Sequence, residues 1–274
     1  MTVLLCPGRT TRTHDQFVSE FSDLKSMRIV TLDVGSGQMP YHSGSKDLVF
    51  CSSERYQLEL HRFLTIAPAH SYVRKLWESE FDNGQNWYYR CRVLASYNSL
   101  KRSKIISSWS DVATYYCILC MSSFHVSYNK WRLVSEHNPV RPDYAGMKEW
   151  SGLNRSKSIK YMRRSIYNFD TTLLDSNTLI YIHLPNIFAS YGCGYVWTSR
   201  KLGFVVTELT ELAKLGYKVC ISFMHSRWGR QVTNYANLFD TELFKPHFYS
   251  ELKASRYGIN NVATTEVYLV ANFN

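Results

Sequence analysis

Apolar positions along the first quarter of the chain fall at helical spacing and then in unbroken runs. In HDQFVSEFSDL, Phe17, Val18, Phe21 and Leu24 share one helical face, and MRIVTLDV, which follows, reads as a buried strand. Gly35-Ser36-Gly37 ends that strand. A second apolar run, Asp47 to Cys51, leads into SERYQLELHRFL, a helix with a Ser cap and Tyr56, Leu60 and Phe63 at helix spacing. Strand-helix alternation of this kind predicts a parallel sheet with crossover helices. From about Ala69 to Arg155 the strand signal fades, and aromatic and basic residues interleave without a period of two, which predicts a mainly helical insert. The rhythm returns with NTLIYI at 177–182. A helix over 201–215 follows, with Leu202, Val205, Val206, Leu209 and Leu212 on its buried side and Gly216 as its stop. YKVCISF reads as the next strand, and TTEVYLVANF as a last strand whose alternation fits a sheet edge.

With 274 residues, 45% of them hydrophobic, the chain can bury one sizeable core and a smaller second one. The net charge of +10 and the 41 aromatic residues, 20 of them Tyr, suit a polyanion with stackable bases, although basic proteins without such partners are common. Seven Cys without regular spacing argue for a reducing compartment and against a disulfide scaffold. No stretch approaches the roughly 18 apolar residues of a membrane span, and MTVLLCPG is too short for a secretory core, so a cytoplasmic protein is expected.

Few stretches carry candidate chemistry. Gly35-Ser36-Gly37 could let a ligand approach the backbone at the end of a strand, or could be a plain tight turn. Pro7, Gly8 and Arg9 precede the first helix and could meet an anion there, or form a simple loop. Two basic clusters, Arg90, Arg92, Lys101, Arg102 and Lys104, then Arg155, Lys157, Lys160, Arg163 and Arg164, suit phosphate contacts; the bland alternative is a solvated helix face. Cys117-x-x-Cys120 lies in an apolar run without a second Cys pair and reads as structural thiols. Neither a Gly-x-x-x-x-Gly-Lys loop nor a His-Glu-x-x-His helix is present, which sets aside those routes to nucleotide hydrolysis and zinc proteolysis.

In their order these pieces resemble the Dam-like family of DNA adenine methyltransferases, including its short phage members. Pro7-Gly8-Arg9 stands where that family has a Gly-Gly-Lys segment, and Asp33-Val34-Gly35-Ser36-Gly37 where it has F-x-G-x-G. SSFHVSYNKWRLVSEHNPVRPDYAG, YNFDTTLLD and KASRYGINNVATTEVYLVAN are similar to later family segments, the second to the strand ahead of the catalytic one. His183-Leu184-Pro185-Asn186 occupies the place of the family's Asp-Pro-Pro-Tyr row, which grips a flipped-out adenine. Exchanging a carboxylate for a neutral imidazole there forfeits part of a charge-assisted bond worth about 1.5–3 kcal/mol.

The resemblance implies a Rossmann-like α/β sheet binding S-adenosylmethionine, built from residues 1–66 and 156–274, with 67–155 as an inserted helical DNA target-recognition domain. It implies cofactor contacts from Pro7, Gly8, Arg9, Asp33, Gly35 and Gly37, with Cys51 or Glu54 at the ribose position and Asp170 at the adenine. His183 would orient the substrate amine, Leu184 would add its carbonyl, and Phe188 or Tyr191 could supply the missing ring. The expected partner is double-stranded DNA, with neither membrane nor metal, the chain acting as a monomer in the cytoplasm, that of the host if phage-encoded. Two alternatives stay open: a DNA-binding relative that has lost methyl transfer and masks sites, and methylation of RNA or an unusual base.

Overall fold

The computed structural model describes residues 12–32, 39–52, 55–65, 69–81, 108–121, 142, 144–184, 199–228, 231–233, 235–254 and 261–273. Its centre is one mixed sheet. Strands β1 (Arg28–Leu32), β2 (Asp47–Cys51), β3 (Ser158–Met162), β4 (Thr178–Leu184) and β5 (Lys218–Trp228) run parallel in the order β3-β2-β1-β4-β5. Beyond β5 lies β8 (Asn261–Ala271), antiparallel to it, and then β7 (Lys245–Ala254); a short β6 (Gln231–Thr233) pairs with the end of β5. A parallel run in the order 3-2-1-4-5, closed by a final antiparallel strand inserted beside the fifth, is the sheet of the Rossmann-like S-adenosylmethionine-dependent methyltransferases. The chain has that fold.

The two faces of the sheet bury different cores. On one, Ile29, Leu48, Phe50, Tyr181 and Tyr268 meet α1 (Arg12–Glu20), α2 (Met39–His42), α3 (Arg55–Thr65), α4 (Ala69–Leu76), α5 (Trp109–Met121) and α6 (Tyr144–Asn154). On the other, Val30, Leu32, Ile182, Ile221 and Leu269 meet α7 (Ser199–Lys214) through Leu202, Val205, Leu209 and Leu212. Every residue of β4 is buried, as a central parallel strand covered on both faces requires. Helix α7 ends in a Schellman turn: Tyr217 N–H bonds to Leu212 C=O at 3.1 Å and Gly216 N–H to Ala213 C=O at 3.0 Å, with Gly216 at φ +89°. Asn272 Nδ2 donates to the carbonyls of both Ala213 and Tyr217, tying the segment after β8 to that cap.

The expected elements are present, with three corrections. The strand over 264–273 is not at an edge: β8 lies between β5 and β7, and the edges are β3 and β7. Its alternation has another cause, since the polar side carrying Glu266 and Tyr268 is covered by α1 rather than by water. The basic run at 155–164 is not a helix face; it contains β3, whose one charged residue, Lys160, is exposed on an edge strand. YNFDTTLLD is not a strand either, because 166–168 and 171–173 are 3-10 turns, the second capped by Asp170. The described residues of segment 67–155 are mainly helical, and α4, α5 and α6 pack with α3 into the sheet's own core through Val73, Tyr116, Cys117, Met147 and Trp150. Among the described residues no helix is long and apolar enough to cross a membrane.

Candidate active site

In an open parallel sheet the ligand crevice lies beyond the carboxyl ends of the strands, where the connections diverge to either side. Here that point is between β1 and β4, which pair in register up to Leu32 and Ile182. The described part of β1 ends at Leu32, and β4 runs on beside it through His183 and Leu184.

His183 closes this edge on the face covered by α1. It is 8% exposed, and its Nδ1 lies 2.8 Å from Ser222 Oγ, directly across the pairing of β4 with β5. Ser222 Oγ is also 2.6 Å from the Tyr181 hydroxyl. Behind them stands Glu266 of β8, 2% exposed, with Oε1 4.0 Å from His183 Nδ1 and Oε2 3.6 Å from His14 Nδ1. The Tyr268 hydroxyl meets both His14 Nδ1 and Glu266. Its ring stacks on Phe17 of α1 at 4.0 Å, which fixes the helix that carries His14.

Burial dominates the titration of this group. It lowers His183 to about 4 against the pull of the Glu266 charge, and lowers His42 to about 4 with the help of neighbouring His14. Both imidazoles are therefore neutral near pH 7. Burial, and next the Glu266 charge, push the Tyr181 and Tyr268 phenols well above their ordinary range, so both stay protonated. A neutral imidazole at a sheet edge, backed by a buried carboxylate, can accept a hydrogen bond or a proton.

The other residues singled out in the sequence disperse. Cys51 ends β2 but is 0% exposed in the core on the α7 face, with no surface to offer a ribose. Asp170 spends its carboxylate on Thr172, accepting from the backbone N at 3.0 Å and from Oγ1 at 2.6 Å; those bonds lower its pKa. Leu184 turns its side chain into the α7-face core. Lys157 is half-buried and donates to the Tyr41 carbonyl, with burial lowering its pKa to about 8, while Arg155 and Lys160 are exposed. Pro7, Gly8, Arg9, Asp33, Gly35, Gly37, Glu54, Pro185, Asn186, Phe188 and Tyr191, and the basic residues Arg90, Arg92, Lys101, Lys104 and Arg102, lie outside the described residues.

Just past the end of β3 a basic and aromatic surface flanks the same edge. Tyr167 is 53% exposed and packs against Phe204 with ring centres 4.5 Å apart and the rings tilted by 30°, Lys201 Nζ lies 5.9 Å from its ring centre, and Arg163 is exposed nearby in sequence. Among the described residues no three His, Cys, Asp or Glu side chains are placed to hold a metal ion. Sequence reasoning missed His14, Ser222, Glu266 and Tyr268. The one available signal was Glu266 itself, a lone carboxylate opening the apolar run VYLVA.

No protein-family model matches the chain, and no curated protein does. Among solved structures, the rRNA methyltransferase aviRa from Streptomyces viridochromogenes is similar at 11% identity and a TM-score of 0.37, over 99% of this chain and 90% of that one. A likeness of that size has no bearing on substrate; the fold follows from the strand order.

Proposed function

We propose that the chain is an S-adenosylmethionine-dependent methyltransferase acting on the exocyclic amine of adenine in duplex DNA. The observation that carries this reading is the pairing of β1 with β4 at the switch point of the sheet: His183 lies in β4, and β1 is the strand that precedes Gly35 and Gly37 in the sequence. Gly35 and Gly37 follow the strand beside His183, whereas the β2 end offers the buried Cys51 in place of a ribose-binding carboxylate. The cofactor would supply a methyl group on a sulfonium. His183 would hold the amine and take up on its imidazole the proton that the amine gives up on methylation. The net charge of +10 and the Tyr167, Lys201 and Arg163 surface support a nucleic-acid substrate. An adenine inside the stack is beyond reach, so the base would be flipped out, with residues 67–155 contributing to target recognition.

Calorimetry with S-adenosylmethionine, paired with tritiated methyl transfer to adenine-containing duplex DNA, tests this reading. Cofactor binding is expected, with transfer falling about a hundredfold or more in His183→Ala. The burial of Cys51 favours a second reading, a DNA-binding relative without methyl transfer. Tight, salt-sensitive DNA binding with neither cofactor affinity nor transfer would establish that one instead.

A further inference from the structure

Glu266 is the least expected residue of the core. A carboxylate at 2% exposure is costly unless charge and hydrogen bonds surround it, and this one is faced by His183 and Tyr181 from β4, His14 from α1, Cys220 from β5 and Tyr268 on its own strand. Replacing it with an apolar residue would let the sheet close over α1 without that cost, so its presence calls for a task.

We infer that Glu266 is a positioning residue that fixes His183 as its Nδ1–H tautomer, leaving Nε2 as the proton acceptor. Ser222 alone does not decide the tautomer. Its hydroxyl, 2.8 Å from Nδ1 and 2.6 Å from the Tyr181 oxygen, can accept from the ring and donate to the phenol, or run the relay the other way. The carboxylate decides it. With Oε1 4.0 Å from Nδ1, a proton on that nitrogen faces a negative charge, whereas a lone pair there would face it with like sign. The relay then runs from Nδ1–H to Ser222 to Tyr181, and only Nε2 has a lone pair to offer.

This assignment explains how a histidine can stand where the resemblance expects an aspartate. A neutral ring with a proton on Nε2 would oppose an amine donor there, while one whose Nε2 is bare accepts from it. Once the amine's proton has moved to Nε2, the carboxylate stabilises the imidazolium. The catalytic use of Nε2 rests on the methyltransferase reading above; the tautomer does not.

Long-range proton–nitrogen correlation spectra of the uniformly labelled full chain at pH 7 test the assignment, with the His183 ring identified by its loss in His183→Gln. The expected result is a protonated Nδ1 and a bare Nε2 in the wild type, retained in Ser222→Ala and shifted to Nε2–H or a mixture in Glu266→Gln. An Nε2–H ring in the wild type, its appearance in Ser222→Ala, or an unchanged ring in a folded Glu266→Gln overturns the assignment. The first two results need no carboxylate variant to fold. Where the wild type transfers methyl groups, Glu266→Gln lowers kcat about tenfold or more with KM within about twofold. A bare Nε2 in a wild type that binds no S-adenosylmethionine would retire the methyltransferase reading and leave the assignment standing.

Discussion

Acidification from pH 7.5 to pH 4.5 should remove a large part of the protein's stability, and two histidines should account for much of it. His183 and His42 are each lowered from 6.5 to about 4, chiefly by burial. Between those limits the unfolded chain binds a proton at each site that the folded chain refuses. Their contribution is therefore complete above about pH 6.5 and is lost as the pH falls through the folded value of about 4. A depression of this size corresponds to about 3 kcal/mol per site, against a total of about 5–15 kcal/mol for an ordinary domain. Asp170 and Asp175 do not confuse the window: both are lowered from 3.8 by their hydrogen bonds to Thr172 and Thr178, so their share disappears only below it. Urea unfolding at intervals across this range, in the wild type, His183→Gln and His42→Gln, measures the effect. Each variant should start less stable at pH 7.5 and lose less on acidification, by up to about 3 kcal/mol. Parallel curves for wild type and His183→Gln from pH 7 to 4.5 would refute the reasoning, because a histidine buried in its neutral form cannot be silent there.

Phe17→Ala should cost about 3–5 kcal/mol by chemical denaturation, since the ring is 0% exposed and stacked on Tyr268, and it should loosen the helix carrying His14. Gly216→Ala should cost about 1 kcal/mol in the same assay, because the residue sits at φ +89° while the space around an added methyl is open; Gly216→Asn should cost less. Cys51, Cys117, Cys120 and Cys220 are all at most 1% exposed, and burial pushes the thiols of Cys117 and Cys220 upward. Peptide mapping after alkylation should find these four modified only when the chain is unfolded first.

Much of the sheet could be read directly from the chain because its central strands are buried on both faces. The apolar run DLVFC coincides with β2, and NTLIYI marks all but the end of β4. Strands β3 and β7 escaped notice for the opposite reason. Edge strands carry polar and charged residues, so Lys160, and Lys245 with His247 and Ser250, hide a period of two that a half-buried interior strand would display. The sheet-edge expectation for β8 failed because alternation reports chemistry and not exposure. Glu266 and Tyr268 are polar, but a helix more than 240 residues earlier in the chain covers them. The same distance limits what could be read of the site. His183 was visible from its place at the end of an apolar strand, whereas its partners Ser222 and Glu266 reach it only through strand pairing. Asp170, which the resemblance set against the cofactor's adenine, caps its own turn.

The position of β8 bears on biosynthesis. It is translated after every other described strand, yet it fills the slot between β5 and β7. Until it emerges, β5 presents an open flank of unpaired amides and carbonyls, and the carboxylate of Glu266 has not yet reached the imidazoles of His14 and His183. A nascent chain is thus exposed to wrong pairing late in elongation, when the parallel half of the sheet is already available as a template. Placing a charge in the middle of β8 makes mispairing with a purely apolar strand costly, so the residue inferred to orient His183 would also help the last strand find its own slot.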